Sequence, residues 1–131
     1  MRIDAPMATI EIGNIRMSPL LQRSTMSTEA IHLKAEHIFE LGYRRFEWKC
    51  DHLNMPSRSA AERLGFTFEG IFRKASHYKG RLRDTAWYSI TDDEWPAIYG
   101  AHRAWLAKEN FDADGNQKHR LSDLVSRAQG R

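Results

Sequence analysis

Hydrophobic and polar residues alternate with a period of two in segment 8–17, a pattern typical of a β-strand with one buried face. The alternation shifts by one position around Gly13 and Asn14, which predicts a β-bulge that separates this strand from a neighbour. The apolar positions of the strand are Ile10, Ile12, Ile15 and Met17.

A helix is predicted for residues 25–41, because apolar residues recur there at helical spacing, hydroxyl residues crowd the start and Gly42 follows the end. Residues 44–51 alternate again, with Phe46, Trp48 and Cys50 on one side, and predict a second strand. The order strand, helix, strand is typical of a parallel crossover connection.

A short helix is predicted from Pro56 to a stop at Gly65. Segments 67–77 and 83–91 indicate an antiparallel hairpin, and residues 91–94 resemble a capping box that begins a last helix. The order β-α-β-α-β-β-α predicts an α/β (α+β) fold with a mixed sheet. We expect residues 1–109 to form one domain, and the polar segment 110–131 to be a flexible tail with at most one weak helix.

The chain has 131 residues, 41% of them hydrophobic and 28% charged, with a net charge of +3, which favours one folded domain over a disordered chain. A single cysteine excludes a disulfide framework and a zinc finger, and the six histidines lack metal-binding spacing, so no metal is predicted. No apolar run reaches about 20 residues, and the start lacks the apolar stretch of a secretory signal. We therefore expect a cytoplasmic protein with no membrane partner.

A polar turn at residues 22–30, between the first strand and the first helix, is suited to an anion. The first turn of a helix carries unpaired backbone N–H groups and a partial positive charge. Arg23 can add a charge-assisted hydrogen bond, and hydroxyl groups can add neutral ones. These hydroxyls belong to Ser24, Thr25, Ser27 and Thr28. A hydroxyl-rich helix cap facing water would show the same residues, so both interpretations stay open here.

Several short motifs occur in order between residue 11 and about residue 95. They are Glu11-Ile12-Gly13, Gln22-Arg23, Thr28-Glu29-Ala30, Asn54-x-x-Ser57, Leu64-Gly65-Phe66, Glu69-Gly70, and Asp84 followed by Tyr88-Ser89-Ile90. The series resembles the GNAT superfamily of acyl-CoA-dependent N-acetyltransferases, and within it the branch that acetylates ribosomal-protein N-termini. The similar region corresponds to the second half of that fold, from its fourth strand to its final two strands.

The resemblance implies acetyl-CoA as co-substrate, lying in a wedge between splayed strands at residues 12–17 and 46–51. In such enzymes the pantetheine pairs with strand backbone, here that of Ile15, Arg16 and Met17. The resemblance places the pyrophosphate at Gln22, Arg23, Ser24, Thr25, Ser27 and Thr28. Thr25 and Ser27 stand where the family pattern usually has glycine, which lets backbone approach phosphate closely.

Asn54 and Ser57 are three residues apart at the start of the short helix, where the family places groups around the cofactor thiol and the acceptor. Many family members protonate the departing thiolate with a tyrosine at the position that is Ala61 here. The ribosomal-type branch resembles this chain in its serine, so the resemblance makes Ser57 the candidate general acid. The alternative is that Asn54 and Ser57 only cap the helix.

Acetyl transfer to an amine needs a neutral nucleophile, a polarised thioester carbonyl and a route for protons, and direct attack in a ternary complex fits these needs. A strand N–H near Ile15 would polarise the carbonyl. Glu11 resembles the base position on the family's fourth strand, and Glu47 is the other carboxylate that could relay the amine proton. Alternation could equally place both carboxylates on a solvated face of the sheet.

By the same resemblance the chain lacks the N-terminal part of the fold, apart from at most one short strand at residues 1–4. The missing helices normally wall the acceptor pocket, so the acceptor is predicted only as a primary amine, either a protein N-terminus or a small molecule. An uncovered edge strand tends to pair, which favours a homodimer.

The segment 73–83 contains five positive charges and no acidic residue, around Tyr78. Such a hairpin could contact a nucleic-acid backbone or ribosomal RNA, although a solvated hairpin balanced by Glu69 and Asp84 explains the same residues, and no nucleic-acid partner is predicted. The alternative to an enzyme is therefore a non-catalytic remnant that binds CoA or another anion, or a small basic binding module.

Overall fold

The computed structural model describes residues 3–12, 25–78 and 81–130, with side chains described outside 75–83. Within these ranges no helix has both the length and the apolar character needed to cross a bilayer. The predicted elements from the first helix to the last are confirmed, with ends shifted by up to two residues. The elements are β1 (Ile3–Asp4), β2 (Thr9–Ile12), α1 (Thr25–Glu40), β3 (Arg45–Asp51), α2 (Met55–Leu64), β4 (Thr67–Tyr78), β5 (Arg81–Thr91), α3 (Trp95–Leu106), a 3₁₀ turn (Lys108–Asn110) and α4 (Leu121–Ala128).

The five strands form one mixed sheet in the order β1-β2-β3-β5-β4. β2 and β3 pair in parallel, from Thr9 opposite Arg45 to Ile12 opposite Trp48, and the other neighbours are antiparallel. The predicted crossover through α1 and the predicted hairpin are thus confirmed. The predicted bulge at residues 13–14, and the half of the expected wedge that follows Ile12, lie outside the described residues.

The two faces of the sheet differ in polarity because side chains alternate along each strand. One face supplies apolar side chains to a core that also includes residues of all four α-helices. On the opposite face Glu11, Glu47 and Ser89 lie side by side in register on three strands, and each is at most 5% exposed. A row of buried polar groups across the middle of a sheet is unusual for a purely structural surface.

The turn that leads into α3 contains one of the two hydrogen bonds of the predicted capping box, but it lies before the helix. The carboxylate of Glu94 accepts hydrogen bonds from the backbone N–H of Thr91 at 2.9 Å and from its hydroxyl at 3.0 Å. Thr91 is the last residue of β5, and α3 begins at Trp95 with Glu94 as its N-cap and no side-chain hydrogen bond to that cap, so the prediction of a capping box on the helix is wrong. The contact instead holds the turn between β5 and α3.

The C-terminal segment packs against the domain, so the prediction of a domain boundary after residue 109 and a flexible tail over 110–131 is wrong for the described residues 110–130. Leu121 and Val125 are four residues apart, lie on one face of α4 and are 2% exposed. Asn110 donates to the carbonyl of Trp105 at 3.0 Å, and Gln129 donates to the carbonyl of Gly65 at 2.9 Å. Two well-placed aliphatic residues and a few polar anchors are therefore enough to dock this polar helix.

Gly65 ends α2 in the left-handed conformation, with φ of 104°, and a Cβ there would lie 3.1 Å from Cγ2 of Ile98. Gly42 follows α1 with φ of 91°, but a Cβ there would meet no atom within 4 Å. We expect Gly42→Ala to lower the free energy of unfolding by about 1 kcal/mol through backbone strain alone. Gly65→Ala should lower it by about 2 to 4 kcal/mol, because crowding adds to strain. Urea unfolding of both variants checks this, and equal losses would contradict it.

Candidate active site

The start of α2 holds two of the predicted site residues together. The side-chain oxygen of Asn54 accepts a hydrogen bond from the backbone N–H of Ser57 at 3.2 Å and thereby caps the helix. The indole N–H of Trp48 donates to the Ser57 hydroxyl oxygen at 3.1 Å. Because an indole can only donate, Ser57 must accept this bond, and its own proton is left to be donated to another group. The capping interpretation of Asn54 is thus confirmed, and it leaves the Ser57 proton available for chemistry.

Arg58 fixes α2 against the sheet beside this serine. Its guanidinium donates to the hydroxyl of Tyr88 at 2.9 Å and to the carbonyl of His52 at 3.2 Å, and it lies 5.2 Å from the ring centre of Phe68. Tyr88 is fully buried, and burial raises the pKa of its phenol. A neutral phenol held by a guanidinium anchors the helix. The sequence analysis overlooked this contact, for which the only indication was a tyrosine among the buried positions of β5.

Glu11 is a buried carboxylate with two unlike oxygens. Its Oε1 lies 3.3 Å from Nζ of Lys49, and the side chain is 2% exposed. Its Oε2 is also buried and has no hydrogen-bond partner within the described part of the chain. One oxygen is therefore held by a cation while the other is left to accept a proton.

Glu47 is bound differently, although it lies beside Glu11 in the sheet. Arg45 contacts Glu47 at 3.1 Å and binds Glu69 through two hydrogen bonds of 2.7 and 3.1 Å. The Arg45 hydrogen bond lowers the pKa of Glu69, and chiefly the same bond raises that of Arg45. Both Glu11 and Glu47 are at most 5% exposed, so the alternative of a solvated sheet face is wrong for them.

The predicted phosphate-binding turn is described only from the start of α1 onward. Thr25 is exposed, whereas Ser27 and Thr28 are 5% and 1% exposed, and the Thr28 hydroxyl has no hydrogen-bond partner among the described residues. A hydroxyl cap facing water is therefore wrong for Ser27 and Thr28. The remaining predicted cofactor residues lie outside the described residues: Ile15, Arg16, Met17, Gln22, Arg23 and Ser24. The side chains of the basic segment from residue 75 to 83 also lie outside them.

Two histidines form a buried pair between α1 and α3. The Nδ1 atoms of His32 and His102 are 3.1 Å apart, and Nε2 of His102 lies 2.8 Å from the Leu64 carbonyl oxygen. His102 must therefore carry its proton on Nε2 and accept the His32 proton on Nδ1. Burial lowers the pKa of both rings, that of His102 to about 4. No set of three metal-ligand side chains converges in residues 3–12, 25–78 and 81–130, so we treat this pair as structural.

The chain is similar to several known proteins. The protein described as uncharacterized N-acetyltransferase YnaD of Bacillus subtilis (strain 168) is 30% identical over 88 residues, which cover 66% of this chain and 51% of that protein. A crystal structure of a GCN5-related N-acetyltransferase from Brucella melitensis has a TM-score of 0.94 and 54% identity, over 96% of this chain and 57% of that one. No protein-family model matches the chain.

Two further solved structures are similar to the chain over about two thirds of its length. The microcin C7 self-immunity acetyltransferase MccE, in complex with acetyl-CoA and AMP, is 32% identical with a TM-score of 0.62, over 68% of this chain and 49% of that one. The ribosomal L7/L12 α-N-protein acetyltransferase RimL is 26% identical with a TM-score of 0.63, over 68% of this chain and 49% of that one. The chain thus spans about half the length of the relatives it matches. Together with the five-stranded mixed sheet, these likenesses confirm the resemblance: the chain belongs to the GCN5-related N-acetyltransferase (GNAT) superfamily.

Proposed function

We propose that this protein transfers the acetyl group of acetyl-CoA to a primary amine by direct attack. The observation that carries the proposal is the buried Oε2 of Glu11, a carboxylate oxygen that has no hydrogen-bond partner among the described residues. A buried acceptor without a donor is unfavourable for folding, and it is explained if the oxygen takes a proton during catalysis. Lys49 holds the other oxygen, which keeps the carboxylate in place.

The proposed reaction needs two proton transfers, and the described residues offer one group for each. Glu11 accepts a proton from the amine, directly or through water, so that the nitrogen can form its bond to the acetyl carbon. The carbon–sulfur bond then breaks, and Ser57 donates its hydroxyl proton to the departing thiolate and takes a replacement proton from water, while Glu11 releases the proton of the amine to water. Trp48 is a positioning residue, because its N–H donates to the Ser57 hydroxyl oxygen and so holds this oxygen while its proton is donated to another group.

We propose the acceptor by its chemical class, which is a primary amine. RimL is described as acting on a ribosomal-protein N-terminus, and MccE is described in complex with acetyl-CoA and AMP. The likeness to MccE favours acetyl-CoA as the donor, and a protein N-terminus and a small amine are both candidate acceptors. The cytoplasmic location, the homodimer and the cofactor contacts of residues 15–28 stay predictions.

Titration with acetyl-CoA, followed by an assay of thiol release with amine acceptors, tests the proposal. We expect saturable binding of acetyl-CoA and acceptor-dependent thiol release. Ser57→Ala should lower kcat on the order of 100-fold while the Kd for acetyl-CoA stays unchanged, because the hydroxyl acts on the departing thiolate. Ser59→Ala, an exposed serine on the same helix, is the matched control and should keep kcat.

Three results would count against parts of this proposal. No binding of acetyl-CoA at millimolar concentration would overturn the transferase. Binding without thiol release, for either a peptide N-terminus or small amines, would favour the non-catalytic remnant. An unchanged kcat in Ser57→Ala would remove the assignment of Ser57 as general acid.

A further inference from the structure

A second cleft lies away from the proposed reaction site, between α2, the start of β4 and α4. It is an open cleft of about 580 Å³ and is bounded on one side by α4, the helix that the sequence pattern did not predict to dock. Its walls are partly apolar and partly charged. The lining includes Glu62, Arg63, Phe66, Phe68, Val125 and Ser126.

Arg63 is the unusual residue of this cleft. Its side chain is partly buried, and its guanidinium forms no hydrogen bond or ion pair within the described residues. Burial lowers the pKa of this guanidinium, which shows that its surroundings disfavour the charge. The partly buried Arg45 and Arg58 differ, because each is held by two acceptors. A guanidinium left in a cleft without an acceptor is suited to an anionic ligand group.

The neighbouring Glu62 restricts what that ligand can be. Its carboxylate also lines the cleft, is exposed, and makes no hydrogen bond or ion pair within the described ranges. A phosphate dianion would be repelled by this carboxylate, whereas a ligand with both a carboxylate and an ammonium group would satisfy both side chains. Phe68, which is 39% exposed, offers an apolar surface beside the charges, whereas Phe66 and Val125 belong to the buried core beneath it.

We propose that this cleft binds a free amino acid with an apolar side chain. The ligand carboxylate meets Arg63, its ammonium group meets Glu62, and its side chain lies against the exposed ring of Phe68. Arg63 is six residues beyond Ser57 on α2, about 9 Å along the helix axis and on a different face. The inference therefore goes beyond the proposed acetyl transfer and does not depend on it.

The test is thermal unfolding and calorimetric titration of the 131-residue chain with four probes. These are L-phenylalanine, N-acetyl-L-phenylalanine, L-phenylalaninamide and inorganic phosphate. L-phenylalanine should raise the Tm in a concentration-dependent way, since it binds the folded state alone. The acetylated probe lacks the ammonium group and the amide lacks the carboxylate, so each should bind at least tenfold more weakly, and phosphate should bind more weakly still.

Variants of the two charged residues complete the test. Arg63→Gln should abolish the rise in Tm caused by L-phenylalanine. Glu62→Gln should weaken the binding of L-phenylalanine at least tenfold. In this second variant the Kd values for L-phenylalanine and N-acetyl-L-phenylalanine should lie closer together than in the unmodified chain. Arg127→Gln, an exposed arginine of α4, is the matched control and should bind like the unmodified chain. Arg63→Gln without ligand should unfold at a Tm no lower than that of the unmodified chain, because no partner is lost and a charge that burial disfavours is removed.

Three results would overturn the proposal. The first is no shift with L-phenylalanine. The second is phosphate binding as tightly as L-phenylalanine, which would indicate a simple anion site. The third is a lowered Tm of ligand-free Arg63→Gln together with unchanged L-phenylalanine binding, which would make Arg63 a structural residue at the end of α2.

Discussion

Acidification from pH 7 to pH 4 is expected to remove about 3 kcal/mol from the free energy of unfolding through His102 alone. Burial lowers the pKa of His102 from its ordinary value of 6.5 to about 4 in the folded protein. Between these two values the unfolded chain binds a proton at this residue and the folded chain does not. The stabilisation is therefore fully present above about pH 6.5 and is lost as the pH falls towards 4.

The hydrogen bonds of His102 explain why this residue binds a second ring proton less readily in the folded protein. Nε2 of His102 already donates to the Leu64 carbonyl, so a second proton must enter at Nδ1, which faces Nδ1 of His32 at 3.1 Å. That proton would displace the hydrogen bond between the rings. Protonation of His32 is less unfavourable, because its Nε2 lies 3.5 Å from a carboxylate oxygen of Glu36, which attracts the positive charge. We therefore expect His102 to contribute more than His32 to the loss of stability.

Urea unfolding between pH 4 and pH 7 checks this prediction. His102→Gln keeps an N–H that can donate to the Leu64 carbonyl but takes up no proton, so its stability should fall by about 3 kcal/mol less than that of the unmodified chain over this range. His37→Gln, an exposed histidine of α1, is the control and should behave like the unmodified chain. Parallel stability curves for His102→Gln and the unmodified protein would contradict the prediction.

The elements of this fold could be predicted because their causes are local. The start of α1 follows from clustered hydroxyl residues, the end of α2 from Gly65, and the turn before α3 from the contact between Thr91 and Glu94. α4 could not be predicted in the same way. Leu121 and Val125 are too few to specify a helix, and they become core residues only because surfaces of α2 and α3 are there to receive them.

In the candidate site, too, some contacts follow from local sequence and others depend on the assembled fold. Asn54 and Ser57 are neighbours through helical spacing, which a sequence displays directly. The hydrogen bond from Trp48 depends on how β3 lies under α2, and the pair of Glu11 and Lys49 depends on the register of two parallel strands. Strand register is set by the assembled sheet and is not written in either segment alone. The histidine pair joins positions 70 residues apart and depends on how α1 packs against α3.

Replacing Glu11 by glutamine should lower kcat for acetyl transfer on the order of 10² to 10⁴-fold, the usual contribution of a general base. The amide has the same shape but cannot take a proton from the amine. The Kd for acetyl-CoA should stay unchanged, because the carboxylate acts on the acceptor. The fold should also persist, since Lys49 is 39% exposed and can be hydrated when its partner loses its charge.

Glu47→Gln separates the two buried carboxylates. Glu47 is bound by Arg45, so its loss should affect stability more than kcat, whereas Glu11→Gln should do the reverse. The dependence of the rate on pH gives an independent criterion. An amine loses its own proton at higher pH and then needs no base, so the deficit of Glu11→Gln should shrink as the pH rises towards the pKa of the acceptor amine. If Glu47→Gln shows that behaviour and Glu11→Gln keeps its kcat, then Glu47 is the base, and the unpartnered oxygen of Glu11 has another origin.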